Sequence, residues 1–274
     1  MVHSGFNPTR RNRNIGTARQ GHGANNRLTI PSPSLEERIW WERIKGPTVT
    51  ESEVLGRAVR FVAEEPRPGS RYVCTIGDVC RLLALIPLRD WIGLTTFVFR
   101  QSTRKQWLLQ PTWGRLAMAA DIGEHGKKSI HSGPAVLLEA LDLSVSFRWD
   151  RSLDHAAARE LERLKSDGHI VAEDRRGYTI SSSVEAARAT QLYRTIPHEI
   201  GHWVDWLERV EWPSERGEAD YGDLADRYWA RPSVDREASA HLYADALMAR
   251  LRAAGSIPFP ADTIPAQIVD SSIS

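Results

Sequence analysis

The chain has 274 residues, 41% hydrophobic and 26% charged, with a net charge of +1, so it can bury a real core as one large domain or two small ones. No global field points to nucleic acid or a membrane surface. No apolar run approaches the roughly 18 residues of a spanning helix, and the N-terminus lacks the apolar core of a signal peptide. A cytoplasmic location with no membrane partner is the expectation. Cys74 and Cys80, the only cysteines, are too few for a disulfide framework or a Cys-based zinc site and read as buried thiols.

From Met1 to Leu35 there is no acidic residue, whereas Arg10, Arg11, Arg13, Arg19 and Arg27 are present. Gly, Asn, Ser and Pro fill most of the remainder. Residues 1–34 therefore read as a disordered basic arm, either solvated or touching phosphates or an acidic partner. Order begins near Leu35. "LEERIWWERI" has helical spacing, and "TVTESEVLGRAVRFVAEE" reads as a helix opened by a Thr50–Glu53 capping box and ended by Pro66, Pro68 and Gly69. "TIGDVCRLLALIP" is a further helix, capped by Thr75 and stopped at Pro87.

β-rich runs follow at 93–99, 105–110, 115–122 and 135–147, the last equally compatible with helix. "SLDHAAARELERLKSDG" is helical with Gly168 as its stop, and "HIVAEDRRGYTI" alternates around a turn as a hairpin. Helix and hairpin together also resemble a winged helix, but "EDRR" at the turn has no net charge with which to grip phosphate. "SVEAARATQLYRTIPHEIGHWVDWLERVEW" is one long or kinked helix. An acidic, turn-rich connection runs from Pro213 to Pro232, and a helix capped by Ser233 and closed by Gly255 follows. Residues after Ile257 are expected on the surface.

Within the long helix, His198 and His202 stand four apart and so share one face, and Asp205 falls on the same stripe. Two neutral imidazoles so placed can hold one zinc ion at about 2.0–2.1 Å each. Glu199, turned about 100° from His198, is suited to be a general base without being a ligand. The bland alternative is a polar helix face meeting solvent. The apolar flank of Ile196, Ile200 and Val204 argues against it, because buried histidines need partners. Asp205 is then suited to orient an imidazole N–H.

A catalytic zinc needs a third protein ligand and an open position. Asp205 and Glu208 stand where a metzincin has Gly and His. The remaining source is a carboxylate on a later helix, and Glu237 sits in the first turn of the next one. Ala238, Ala240 and Ala244 are small enough to let that helix approach closely, with Gly201 opposite. Gly201 costs its own helix about 1 kcal/mol relative to alanine, which close packing at the metal would explain.

HExGHxxD (His198 to Asp205) followed by ExxAxxYA (Glu237, Ala240, Tyr243, Ala244) resembles the gluzincin metallopeptidases. Within them it is most similar to ImmA/IrrE-type peptidases and to the anthrax lethal factor-like branch, over about Gln191 to Arg250. The resemblance implies His198, His202 and Glu237 as ligands of Zn2+, Glu199 as base and a tyrosine steadying the tetrahedral intermediate. Tyr228 is the candidate for that last role, with Tyr221 and His241 competing.

The fold expected is α+β and zincin-like: a mostly antiparallel sheet, joined by the 169–181 hairpin, packs on the HExxH helix, and the Glu237 helix closes the other side. On this reading residues 35–150 are an α+β N-terminal region of unknown role, 151–257 the metallopeptidase core and 258–274 a tail. The function implied is zinc-dependent hydrolysis of a peptide or protein substrate. The alternative is a non-catalytic zincin-fold regulatory or binding module, associated with nucleic acid through the arginine arm. An intact Glu199 argues against that alternative, since a structural zinc needs no base.

Overall fold

The computed structural model describes residues 38–39, 41–103 and 112–261. The chain divides into two compact units, Met1–Ile39 and Trp40–Ser274. All the helices and strands among the described residues belong to the second. The basic arm, the expected 105–110 strand and the chain beyond residue 261 lie outside the described residues.

Strands β1 (Thr48–Val54) and β2 (Arg57–Ala63) form an antiparallel hairpin where a helix was expected. The correction has a local cause. Thr48, Val49, Thr50, Val54, Val59 and Val62 are β-branched and favour the pleat over the helix. Leu55 (φ 51°) and Gly56 (φ 73°) make the two-residue turn with both residues left-handed. Thr50 and Glu53, read as a capping box, pair instead with Phe61 and Ala58. The helix expected over 35–44 is not seen in its described part either: residues 41–44 turn, and Arg43 bridges to Gly123.

Beyond β3 (Ser70–Arg71), α1 (Ile76–Leu85) carries a capping box in which Thr75 and Asp78 satisfy each other's backbone N–H. Then come β4 (Thr96–Arg100), β5 (Gly114–Ile122), β6 (His131–Glu139), β7 (Leu141–Asp142) and β8 (Phe147–Asp150). The main sheet has the order β1-β2-β4-β6-β5. Its β2–β4 and β4–β6 pairs are parallel and its two outer pairs antiparallel, so the sheet is mixed rather than mostly antiparallel. Every residue of β4 is buried, as a strand covered on both faces must be. Phe97 and Phe99 face the helical core while Val98 faces Ile44, Ala135 and Leu137 on the other side.

α2 (His155–Ser166) is capped by Asp154 and stopped by Gly168 at φ 95°. The hairpin β9 (Ile170–Asp174)–β10 (Gly177–Ser181) forms as expected, but it joins β8 in a separate three-stranded sheet. Its buried Ile180 packs on Leu161 and Leu164 of α2 rather than on the HExxH helix.

The long helix runs as α3 (Val184–Thr190), a π-helical turn Gln191–Thr195, α4 (Ile196–Trp206), a second π turn Leu207–Glu211 and the short α5 (Trp212–Glu215). The expected turn-rich connection contains a further helix, α6 (Tyr221–Ala230), capped by Asp220 and burying Tyr228. In α7 (Ser233–Ala253), Ser233 is the first helical residue and the cap position is Pro232, with no side-chain cap bond. Phe259 is buried, and its N–H donates to the Tyr193 hydroxyl (3.0 Å), so the chain after Ile257 packs into the core at least this far. The protein is thus α+β, and no helix among the described residues is long and apolar enough to cross a membrane.

Candidate metal centre

Pro197 has no N–H to donate in the first turn of α4. The π turn ahead of it absorbs the mismatch, with the Ile196 N–H donating to Gln191 O five residues back. Such turns recur at functional sites. From there α4 is regular, with His198 and His202 one turn apart and Glu199 next to His198. A Cβ on Gly201 would sit 2.7 Å from Ala240 O and 2.9 Å from its Cα. Only glycine lets the backbones of α4 and α7 come this close.

That approach delivers Glu237. Its Oε2 lies 3.2 Å from His198 Nε2 and its Oε1 3.5 Å from His202 Nε2, and one ligand atom from each residue falls within a 4.8 Å cluster. A tetrahedral ion with bonds near 2.0–2.1 Å sets its ligands about 3.3–3.4 Å apart, so the two Glu237–imidazole spacings match those around a zinc ion. The donor set, two imidazole nitrogens and a carboxylate, is also zinc's. Hydrogen bonds to His198 and His202 hold the Glu237 carboxyl far below the usual range. Burial opposes charge on His202, but Glu237, Glu199 and Asp205 together raise its pKa. His198 Nδ1 is buried and has no partner among the described residues.

Glu199 is buried, and its Oε2 accepts the backbone N–H of Leu116 on β5 (2.7 Å). Burial raises its pKa against the pull of His198 and His202. It lines both cavities that open at the centre. One, of about 340 Å³, also includes His198, Glu237, His241 and Arg163. The other includes Leu116, His202, Tyr228, Trp229 and Arg236.

The three oxyanion candidates differ. Tyr228 lines the second cavity, but its ring is 2% exposed and packs edge-on to Trp206 (4.9 Å). Burial and Asp205 push its pKa up to about 12. The Tyr221 hydroxyl donates to Glu211 (3.3 Å). His241 stacks 4.3 Å from the His198 ring, with its Nε2 3.3 Å from Arg163 Nη1. A guanidinium only donates, so that nitrogen accepts, the proton sits on Nδ1 and the ring is neutral. Burial, His198 and Arg163 accordingly press its pKa down to about 4.

Asp205 does not orient an imidazole by a hydrogen bond. It accepts from Arg209 Nε (2.7 Å) and Arg231 Nη1 (2.6 Å). Arg231 stands two residues before α7, so Asp205 ties the HExxH helix to the start of the helix that carries Glu237. The Leu116 N–H and the Arg163 contact carried no sequence signal, because neither depends on a motif. Comparison with protein-family models, with curated proteins and with solved structures returned no match.

Proposed function

We propose that the chain is a zinc-dependent metallopeptidase of gluzincin type on a zincin-like fold, acting on a peptide or protein substrate. The observation that carries this reading is the buried carboxylate of Glu199, fixed at one oxygen by Leu116 beside a cluster of two imidazoles and a second carboxylate.

His198, His202 and Glu237 would hold the metal. A zinc ion bound there supplies Lewis acidity, polarising a carbonyl and acidifying water. The chain's own residues do the rest. Among the described residues β5 has a strand on one side only; its Leu116 and Asp121 N–H groups are taken by Glu199 and Glu42, so an extended substrate would pair with the rest of that edge as it passes Glu199. Water adds through oxygen to the scissile carbonyl carbon while Glu199 takes its proton at the oxygen Leu116 leaves free. The same carboxyl then delivers that proton to the leaving nitrogen as the C–N bond breaks. A carboxylate whose pKa burial has raised is the stronger base for the first of these transfers. The Nδ1–H of His241 is available to the developing oxyanion, and Tyr228 would serve if its hydroxyl turned from Asp205.

The test is incubation of the zinc-supplemented protein and its Glu199→Gln variant with a mixed peptide library, read by mass spectrometry. Cleavage by the first and not the second is expected. A zinc-loaded protein that leaves the whole library intact would overturn the reading.

A further inference from the structure

A third cavity adjoins the centre and has no part in the hydrolytic chemistry. It measures about 300 Å³ and is walled by Trp113, Phe147, Trp149, Leu164 and Ile180, with Glu160 at its edge. Trp113 and Glu160 also line the 340 Å³ cavity that holds His198, Glu199 and Glu237, so the two spaces share a wall. Apart from Trp113, its walls come from β8, α2 and β10, elements that supply no candidate metal ligand.

The cavity is aromatic, and its single carboxylate is spoken for. Both oxygens of Glu160 accept from Arg194 Nη1 (2.7 and 2.8 Å). Trp113 is firmly placed: its carbonyl accepts from Gln191 Nε2 (2.9 Å) and the Glu139 N–H (3.2 Å), and its ring lies 5.3 Å from His169 and 6.2 Å from Phe147. A preformed, apolar cavity of this size suits one large apolar group. Trp113 stands three residues before Leu116, the residue that grips Glu199. At about 3.3 Å per residue that is about 10 Å along the edge of the sheet.

We propose that this cavity is the specificity pocket for a large apolar, preferentially aromatic, side chain of the peptide substrate, about three residues from the bond that is cleaved. The inference rests on the peptidase reading. The side chain enters between Trp113 and Trp149 and stacks edge or face against both, while the substrate backbone continues along β5.

The test uses zinc-supplemented full-length protein and a peptide it cleaves, with alanine and then phenylalanine, tryptophan or aspartate placed at each of the four positions on either side of the scissile bond. An aromatic residue at one position should raise kcat/KM about tenfold to a hundredfold over alanine, and aspartate there should not. Trp149→Ala should reduce the preference to within about threefold while leaving hydrolysis of the alanine peptide unchanged. Phe147→Ala carries the same expectation should Trp149→Ala fail to fold. Cleavage of the alanine peptide with no aromatic preference anywhere, or a preference untouched by both variants, overturns the pocket and leaves the peptidase standing. Failure to cleave any peptide overturns the reading beneath it as well.

Discussion

The backbone N–H of Leu116 donates to Glu199 Oε2 at 2.7 Å across 83 positions of sequence. This bond joins the edge of the main sheet to the helix bearing both histidines. It orients the carboxylate where both cavities meet the helix. Glu199→Gln keeps an acceptor for Leu116 but abolishes proton transfer. It should leave fold and zinc content unchanged and lower hydrolysis about 10²–10⁴-fold. Loss of zinc from this variant would make Glu199 a ligand and the mechanism wrong.

Gly201→Ala tests the close approach of the two helices. Alanine restores about 1 kcal/mol of helix propensity, yet its methyl would meet the Ala240 backbone at 2.7–2.9 Å, which no rotamer change relieves. Overpacking of this kind costs about 1–3 kcal/mol. The melting temperature should fall by a few degrees, and zinc should bind more weakly in competition with a chromophoric chelator. A more stable variant with unchanged zinc affinity would mean the helices have slack.

The grouping of His198, His202 and Glu237 was legible because its first half is local. Four-residue spacing alone puts His198 and His202 on one face, and the small residues of α7 marked the surface that approaches them. What was not legible depends on contacts distant in sequence. A backbone N–H such as that of Leu116 has no letter of its own. Parallel pairing on both sides leaves β4 buried along its whole length, which carries no period. The β1–β2 hairpin was misread because Thr50 and Glu53 satisfy a capping-box pattern, while a Leu55–Gly56 turn lacks the Asn-Gly or Asp-Gly signal. Asp205 shared the histidines' stripe, but two guanidiniums compete for it and win.

Asp205→Asn should therefore act on stability first. Asp205 is buried, and it balances Arg231, which is largely buried, and Arg209, which is half exposed. Breaking a buried pair costs about 3–5 kcal/mol, and the lower end applies where one partner can turn to water. Urea unfolding should show a loss of about 3 kcal/mol. Unchanged stability with weakened zinc binding would restore the expected role of orienting an imidazole.

His169 sets a pH dependence. Its Nε2 lies 2.8 Å from Thr190 Oγ1, which itself donates to Asp167, and its Nδ1 lies 2.8 Å from Ser182 Oγ. Nε2 therefore carries a proton, and burial lowers the pKa of the ring from 6.5. A depressed histidine pKa means that the unfolded chain takes up a proton below about 6.5 while the folded one does not. The stability this group contributes is present above that pH and is lost as pH falls through the folded pKa. His169→Gln should flatten the fall in melting temperature between about pH 7 and 5. An identical slope in both proteins would remove His169 from the acid response.

The most direct test of the centre is zinc per chain, measured by elemental analysis on the purified protein and on four variants after equilibration with excess zinc and gel filtration. The wild type should hold about one zinc per chain, as a single His₂Glu site requires. Glu199→Gln should retain it, whereas His198→Ala, His202→Ala and Glu237→Ala should each lose most of it. A folded wild type that binds no zinc, or a Glu237→Ala variant that holds zinc as tightly as the wild type, would contradict the account.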